Sequence, residues 1–462
     1  MKLLGKPDPV FAGLGVAAAV SVGYFTVTSE ITTAGFLSGV IQTLILLFLA
    51  LPRERRLKTV LRAAFICVFV VEGMFFVAQV TPLILDIKVT PVNHDSRAPG
   101  EVLAELRAKG VDAVPLIYPD SIVANDDLFS DIDPGILPLG GIANATTVHC
   151  SETGPFIIYR SDRHGFRNPD GVWDEPIDAM IVGDSFAHGA CVENDVATVM
   201  RDTFGKGVIT LGMSGNETLL ALASVREYAL KRAAPFVFFM FYDGNDLSPG
   251  RPHPIRDAYL LPGFSQNLSR QQPRIDAALD RYWKEKGEII RERKRGRTDD
   301  AHCVDLANRV CVFGFRHFSA QEVLRQSFAA VLLPRMKSLV NTAFGRADAA
   351  VRPLVNPAYM PVISAALARM DADLKAVGTQ LVFVYLPGHQ SLAFAPKNNL
   401  NHRELIRITN ELDIPVIDFY ASIHAADAPW SYYAHGSAGG HLNEFGYREL
   451  AATFNRFMHG AH

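Results

Sequence analysis

The sequence predicts an α/β protein: a three-layer α/β/α arrangement around a mostly parallel sheet, preceded by N-terminal transmembrane helices. Three observations carry that expectation. Short, wholly apolar runs such as AMIV at 179–182 and FVFFMFY at 236–242 read as strands buried on both faces. Helical stretches long enough for crossover connections lie between them. The residues before position 81 are dominated by apolar runs, whereas the rest has ordinary soluble composition. With 462 residues the chain can bury a large core and more than one structural unit. Its formal charge of -3 carries no nucleic-acid footprint. The expected divisions are a membrane section over 1–84, a connection and N-terminal part of the exported domain over 85–178, and the main α/β domain over 179–462, with an insertion or cap at 248–353.

The membrane section comes first. Residues 10–28, 34–51 and 61–80 each approach the ~20 apolar residues that cross ~30 Å of hydrocarbon. Lys2 and Lys6 make a weak signal-peptide start, and no good cleavage site precedes the second run, so all three spans are expected to be retained. Arg53, Arg55, Arg56 and Lys58 crowd the second link, while the first carries only Glu30. Positive charge stays on the cytoplasmic side, so three crossings export everything after Ile84. Glu72, inside the third span, reads as protonated or packed against a neighbour; the alternative is a contact within a helix bundle.

The exported chain then unfolds in order. Pro99 to Gly110 reads as a helix with a glycine stop, Val111 to Tyr118 as a short strand, and Pro119 to Thr153 as loops. Tyr159 to Asp170 reads as a loop tied by Asp162 and Arg167. Ala179 to Val182 is a strand, Val196 to Phe204 a helix, Gly207 to Leu211 a strand, and Glu217 to Arg232 an amphipathic helix. Phe236 to Tyr242 follows as the central strand. From Ser248 to Pro353 the alternation stops. A charged helix around Ile275 to Ile290, the basic run RERKRGR at 291–297 and a helix near Ala320 to Met336 fill this segment, and the basic run reads as a solvated face. The pattern resumes with a helix over Pro361 to Val377, a strand over Leu381 to Leu386, a helix over Arg403 to Leu412 and a strand over Pro415 to Phe419. A last helix runs from Asn443, its N-cap, to Met458.

Cys67 lies in a span, leaving Cys150, Cys191, Cys303 and Cys311 in the exported part, where an oxidising compartment permits disulfides. Cys303 with Cys311 closes a short loop and is the preferred bridge; Cys150 with Cys191 is the second pairing. The cysteine spacing fits no zinc site, and neither a metal nor a cofactor is expected.

Four positions fall at the ends of strands: Ser185 in GDSF, the Gly212 to Gly215 turn in LGMSGN, Asn245 in YDGNDL, and His441 in GGHLNEFGY. Polar residues beyond the carboxyl ends of parallel strands are where ligands bind in such sheets. A serine turns nucleophilic when an imidazole takes its proton, and the oxyanion formed on attack needs positioned donors. These four blocks resemble those of the SGNH (GDSL-type) hydrolases, specifically membrane-linked members associated with O-acetylation of bacterial polysaccharides. The resemblance runs from Ala179 to the C-terminus, interrupted by the insertion. It implies Ser185 as nucleophile, His441 as general base, and the Ser185 and Gly215 N–H groups with the Asn245 amide as oxyanion donors.

One position departs from the family pattern. The aspartate usually found two or three residues before the histidine is replaced by Ala438 and Gly439. Either Ser185 and His441 work as a dyad, which is the preferred expectation, or another acceptor orients the ring: a backbone carbonyl, or an acid from elsewhere such as Asp184, Asp243 or Asp246 near the strand ends. His188 and His435 are candidates for the pocket wall. The implied activity is acyl-ester chemistry, hydrolysis or transfer, on an acylated cell-envelope glycan at a bacterial inner membrane, on its periplasmic or extracytoplasmic side. A transferase would need a separate membrane partner to deliver the acyl donor. A lipid-directed esterase and a non-catalytic glycan-binding or assembly protein are the alternatives.

Overall fold

The computed structural model describes residues 95, 97–299, 304–305, 311–312, 351–389, 391–435 and 440–460, with backbone alone over 291–299, 304–305 and 311–312. The three expected spans, Cys67, Cys303 and the helix expected near 320–336 lie outside the described residues. Among the described residues no helix is long and apolar enough to cross a membrane. The chain divides into two compact units, 1–89 with 289–347, and 90–288 with 348–462. Of the first, the structure describes the end of the helix Gln272–Asp299 and two short strands. The main sheet and the residues around it lie in the second.

The described strands are β1 (Ala113–Pro115), β2 (Thr146–Val148), β3 (Ile158–Arg160), β4 (Ala179–Gly183), β5 (Val208–Thr210), β6 (Phe236–Tyr242), β7 (Val304–Asp305), β8 (Cys311–Val312), β9 (Gln380–Leu386) and β10 (Val416–Asp418). The main sheet has five strands in the order β10-β9-β6-β4-β5, and every pair in it is parallel. This is the mixed α/β architecture with a parallel sheet that the apolar runs predict. β6 lies in its middle, as expected for seven residues with no polar side chain before Tyr242.

Both faces of the sheet are covered. Phe238 stacks on Phe454 of the last helix at 4.2 Å, with Phe457 edge-on at 6.1 Å. From the other face of β6, Phe239 and Phe241 pack with Phe383 of β9 at 5.9 and 5.5 Å. The helices stop and start on local signals. Asp195 accepts from Thr198 N at 3.0 Å to begin the helix Val196–Phe204, and Gly205, at φ +61°, ends it. Asn443 accepts from Gly446 N at 2.9 Å and caps the helix Glu444–Met458.

The connectivity places a crevice. From β4 the chain adds β5 on one side, then crosses to place β6 on the other. The strand order thus reverses between β4 and β6, and ligands bind outside the carboxyl ends of strands at such a point. The turns leaving those two strands are Gly183-Asp184-Ser185 and Asp243-Gly244-Asn245.

The stretch before β4 is more ordered than its composition implies. Residues 119–153, expected as loops, contain the helices Pro119–Val123 and Asp126–Ser130 and the strand β2. β2 pairs parallel to β1 and antiparallel to β3, making a second, three-stranded sheet. Elements of three to five residues leave no periodicity to read, so composition alone hides them. Asp162 does tie its loop, whereas Arg167 reaches out of it to the Gly189, Val192 and Glu193 carbonyls. Buried Asp162 accepts from Phe166 N, Asn168 Nδ2 and Trp173 Nε1 at 2.7–3.0 Å. The segment 248–288 belongs to the unit that carries the sheet: buried Arg226 donates to the Tyr259 and Leu261 carbonyls at 2.6 Å.

Candidate active site

Gly183 ends β4 at φ +144°, and a Cβ there would lie 2.5 Å from the Met240 carbonyl of β6. Only glycine lets the two strands close at this point. The chain then turns into the short helix Ser185–His188. Asp184 caps that helix by accepting from Phe186 N at 2.9 Å, and Gly189 ends it at φ +72°. Ser185 is thereby presented at the mouth of the crevice, 9% exposed.

His441 Nε2 lies 2.8 Å from Ser185 Oγ. Its Nδ1 lies 2.6 Å from Glu152 Oε1, and its backbone N–H donates to Glu152 Oε2 at 3.1 Å. Burial works to raise the Glu152 carboxyl, but the His441 hydrogen bonds and charge outweigh it and hold the group below its ordinary range. An ionised carboxylate only accepts, so Nδ1 carries the ring proton and Nε2 faces the serine hydroxyl with its lone pair. That tautomer can accept the hydroxyl proton. The histidine is therefore oriented by an acid, and the expected unassisted pair is corrected to a chain of three.

The acids expected near His441 act elsewhere. Asp243 is buried and accepts from Arg352, Tyr385 Oη and Ser391 Oγ at 2.6–2.7 Å, as well as from Gly388 N. It pins the ends of β6 and β9 to the loops beyond them. Asp246 accepts from Tyr242 N at 2.8 Å, and Asp184 accepts from Asn245 Nδ2 at 3.0 Å. Burial pushes both carboxyls up, Asp246 far above its ordinary range with the Asp184 charge adding to the effect. These three carboxylates build the turns around Ser185, whereas Glu152 reaches the histidine. Glu152 escapes the sequence reading because the acids weighed there stand at the strand ends of the main sheet, whereas Glu152 lies in the turn between β2 and β3. The signal available was Cys150, two residues away.

The turn carrying Gly215 abuts the serine turn, Met213 N donating to Gly183 O at 3.2 Å. Gly215 sits in a turn at φ +79°, where Asn216 N donates to Met213 O at 3.0 Å. Among the described residues the Ser185 and Gly215 N–H groups make no hydrogen bond. Asn245 is exposed, and its bond to Asp184 fixes the amide, leaving a second N–H for an incoming oxygen.

His188 is fully buried, with Nε2 3.0 Å from Tyr159 Oη and Nδ1 3.2 Å from Ser214 Oγ. Burial, then the charges of Arg167 and His441, push it down to about 3, so it is neutral at working pH. His149 stacks on it at 4.3 Å and bonds the same Ser214 hydroxyl at 3.3 Å. His188 thus supports the turn preceding Gly215 and does not line an open wall. His435 is exposed, on the approach to Gly440 and Glu152.

The preferred Cys303–Cys311 bridge falls on Cys303, outside the described residues. The disulfide that the structure shows is Cys150–Cys191. Glu152, Cys191 and His441 offer metal-ligand atoms within 4.8 Å of one another. With Cys191 in a disulfide it has no thiolate to offer, and Glu152 and His441 are bonded to each other, so the group is not arranged as a cation site.

No protein-family model matches the chain, and no curated protein matches it. Among solved structures, it is similar to a lipase/acylhydrolase from Enterococcus faecalis, at 13% identity and a TM-score of 0.32, over 62% of this chain and 97% of that one.

Proposed function

We propose that the protein is an SGNH-type enzyme of acyl-ester chemistry, an esterase or O-acyltransferase. The observation that carries this reading is the hydrogen-bonded chain Glu152–His441–Ser185 at the reversal point of a parallel sheet. Ser185 Oγ attacks an acyl carbonyl while His441 Nε2 takes its proton. Glu152 keeps Nδ1 protonated and stabilises the imidazolium that forms. The Ser185 and Gly215 N–H groups and the Asn245 amide hold the oxyanion. His441 then returns the proton to the leaving alcohol, and water or a sugar hydroxyl takes the acyl group from Ser185.

The proposed substrate is an acylated cell-envelope glycan, with acetate as the acyl group. The three apolar runs before position 81 support a membrane anchor, and the Cys150–Cys191 disulfide supports an oxidising, extracytoplasmic site of action. Transfer would draw its acyl group from a separate membrane protein. A non-catalytic protein would lack an orienting acid or hold Ser185 and His441 too far apart to bond. The 2.8 Å contact and the Glu152 bonds count against it.

The test is turnover of 4-nitrophenyl acetate by the full-length chain and by Ser185→Ala, with and without glycan oligosaccharides. Release of nitrophenolate by the parent alone is the expected result. Acetylated oligosaccharide in place of free acetate would assign transfer. Equal rates for parent and variant would remove Ser185 from the mechanism.

A further inference from the structure

We propose that the Cys150–Cys191 disulfide is a positioning element for the proposed reaction: it holds Glu152 against His441, so that opening it slows catalysis through Glu152. This rests on the reading above. Glu152 lies in the turn joining β2 to β3, outside the main sheet. On its own side the turn is held by the β2–β3 pairing, by Ile157 N to Cys150 O at 2.8 Å, and by Ser151 Oγ to Gly154 O at 2.7 Å. Those contacts shape the turn, and none of them fixes it to the element that carries His441.

The other cysteine is held in that frame. Cys191 sits at φ +60° in the loop leaving the Ser185 helix. Buried Arg167 donates to the carbonyls on either side of it, Gly189 O, then Val192 O at 2.7 Å and Glu193 O at 3.0 Å. Arg167 is itself paired with Asp195 at 3.5 Å. Glu193 N and Asn194 N both donate to Glu444 Oε1 at 3.2 Å, and Glu444 begins the helix that follows His441. The disulfide, with its Cα atoms 5.1 Å apart, thus fastens the Glu152 turn to a loop already tied to both Ser185 and His441. Cys150 and Cys191 touch no reacting atom; they act through Glu152.

Reduction would release this tether. A dithiol gives two electrons and two protons to the bond, leaving two thiols and its own disulfide. The turn keeps its own sheet and the anchor at its base, where His149 bonds Ser214 and stacks on His188, but Glu152, further along the turn, loses the covalent tie beside it. Misplacing a catalytic group by about 1 Å can cost about 10^2-fold in rate, so a turn that still samples its place should lose about tenfold.

The experiment uses the full-length chain as parent, Cys150→Ala/Cys191→Ala, Glu152→Ala and the triple variant. With 4-nitrophenyl acetate, the double variant should lose about tenfold in kcat with KM unchanged, and the triple variant should be no slower than Glu152→Ala alone. An unchanged kcat in the double variant, or a further tenfold loss in the triple, would overturn the proposal.

Amide hydrogen exchange at His441 gives a readout that needs no turnover, because this N–H donates to Glu152. Parent protein reduced by a dithiol should exchange faster there while the helix Glu444–Met458 keeps its protection, which also covers a double variant that fails to fold. Exchange accelerated by Glu152→Ala but unmoved by reduction would show that Glu152 stays in place untethered, overturning the proposal. A parent that exchanges as expected yet turns over no ester would overturn the proposed chemistry and leave the tether standing.

Discussion

Replacing Glu152 by glutamine isolates the role of the acid with almost no change of shape. The carboxylate accepts two bonds from one residue, His441 Nδ1–H and His441 N–H. An amide has one acceptor and one donor end. With its oxygen on Nδ1–H, its NH2 group faces the backbone N–H, donor against donor, at a cost of about 1–3 kcal/mol. With its oxygen on the backbone N–H, its NH2 group pairs with a bare Nδ1 and the ring proton moves to Nε2. That tautomer cannot accept the Ser185 proton. The imidazolium also loses a charge-assisted partner worth about 1.5–3 kcal/mol. Together these raise the barrier by about 3–6 kcal/mol, a loss of about 10^2 to 10^4 in kcat. Initial rates on 4-nitrophenyl acetate, with circular dichroism to establish folding, measure it. A folded Glu152→Gln variant within a factor of about ten of the parent would refute the assignment of Glu152 as the orienting acid.

Three further outcomes follow from the same geometry. Asn245→Ala should lower kcat by about 10^2 to 10^3 with little change in KM, since the amide acts on charge present only in the transition state; a change in KM alone would make Asn245 a substrate contact. Asp243→Asn should leave Arg352 without its buried counter-charge and lower unfolding stability by about 3–5 kcal/mol; an unchanged urea midpoint would contradict the structural role given to Asp243. For pH, the folded His188 value of about 3 lies below its ordinary 6.5. Between those values the unfolded chain binds more protons, so stability rises with pH there and is lost as pH falls. His188 therefore lowers the melting temperature on acidification from pH 6.5 toward 3, against an opposite contribution from Asp184 and Asp246, whose raised carboxyls bind protons in the folded chain. Glu152, held below its ordinary range, adds to the loss in the same direction. A His188→Gln variant should show a shallower drop, and an identical slope would contradict burial of a neutral imidazole.

What the sequence made legible follows from the physics of each element. β4 and β6 announce themselves because both faces are buried, which leaves no polar residue to interrupt the run. The helix Val196–Phe204 is bracketed by its own cap and stop, Asp195 and Gly205, so its limits can be read locally. Ser185, Gly215 and Asn245 follow β4, β5 and β6, where a parallel sheet concentrates function, whereas His441 follows no strand of the sheet and lies in the loop before the helix Glu444–Met458. Glu152 was hidden for the opposite reason. It stands 289 residues from His441 in the chain and reaches it through a turn between two strands of three residues each. No period marks such strands, and the pairing of that turn with the main sheet depends on long-range contacts. The cysteines held the clue. Loop length favoured Cys303 with Cys311, but the pairing of Cys150 with Cys191 would have brought residues 150–152 beside the serine helix. Asp243 misled because an acid at the mouth of a strand resembles a catalytic group until its partners are known. Arg352, Tyr385 and Ser391 converge on it from parts of the chain far from β6.

The central claim is that Ser185 becomes covalently acylated with His441 taking its proton, and intact-mass and peptide mass spectrometry test it most directly. The full-length chain is mixed with 4-nitrophenyl acetate, quenched in acid and digested, beside Ser185→Ala and His441→Ala. The peptide carrying Ser185 should gain a single acetyl group in the parent and none at that position in either variant. An adduct formed equally well without His441, or a parent that turns the ester over while acetylated only elsewhere, would contradict the claim.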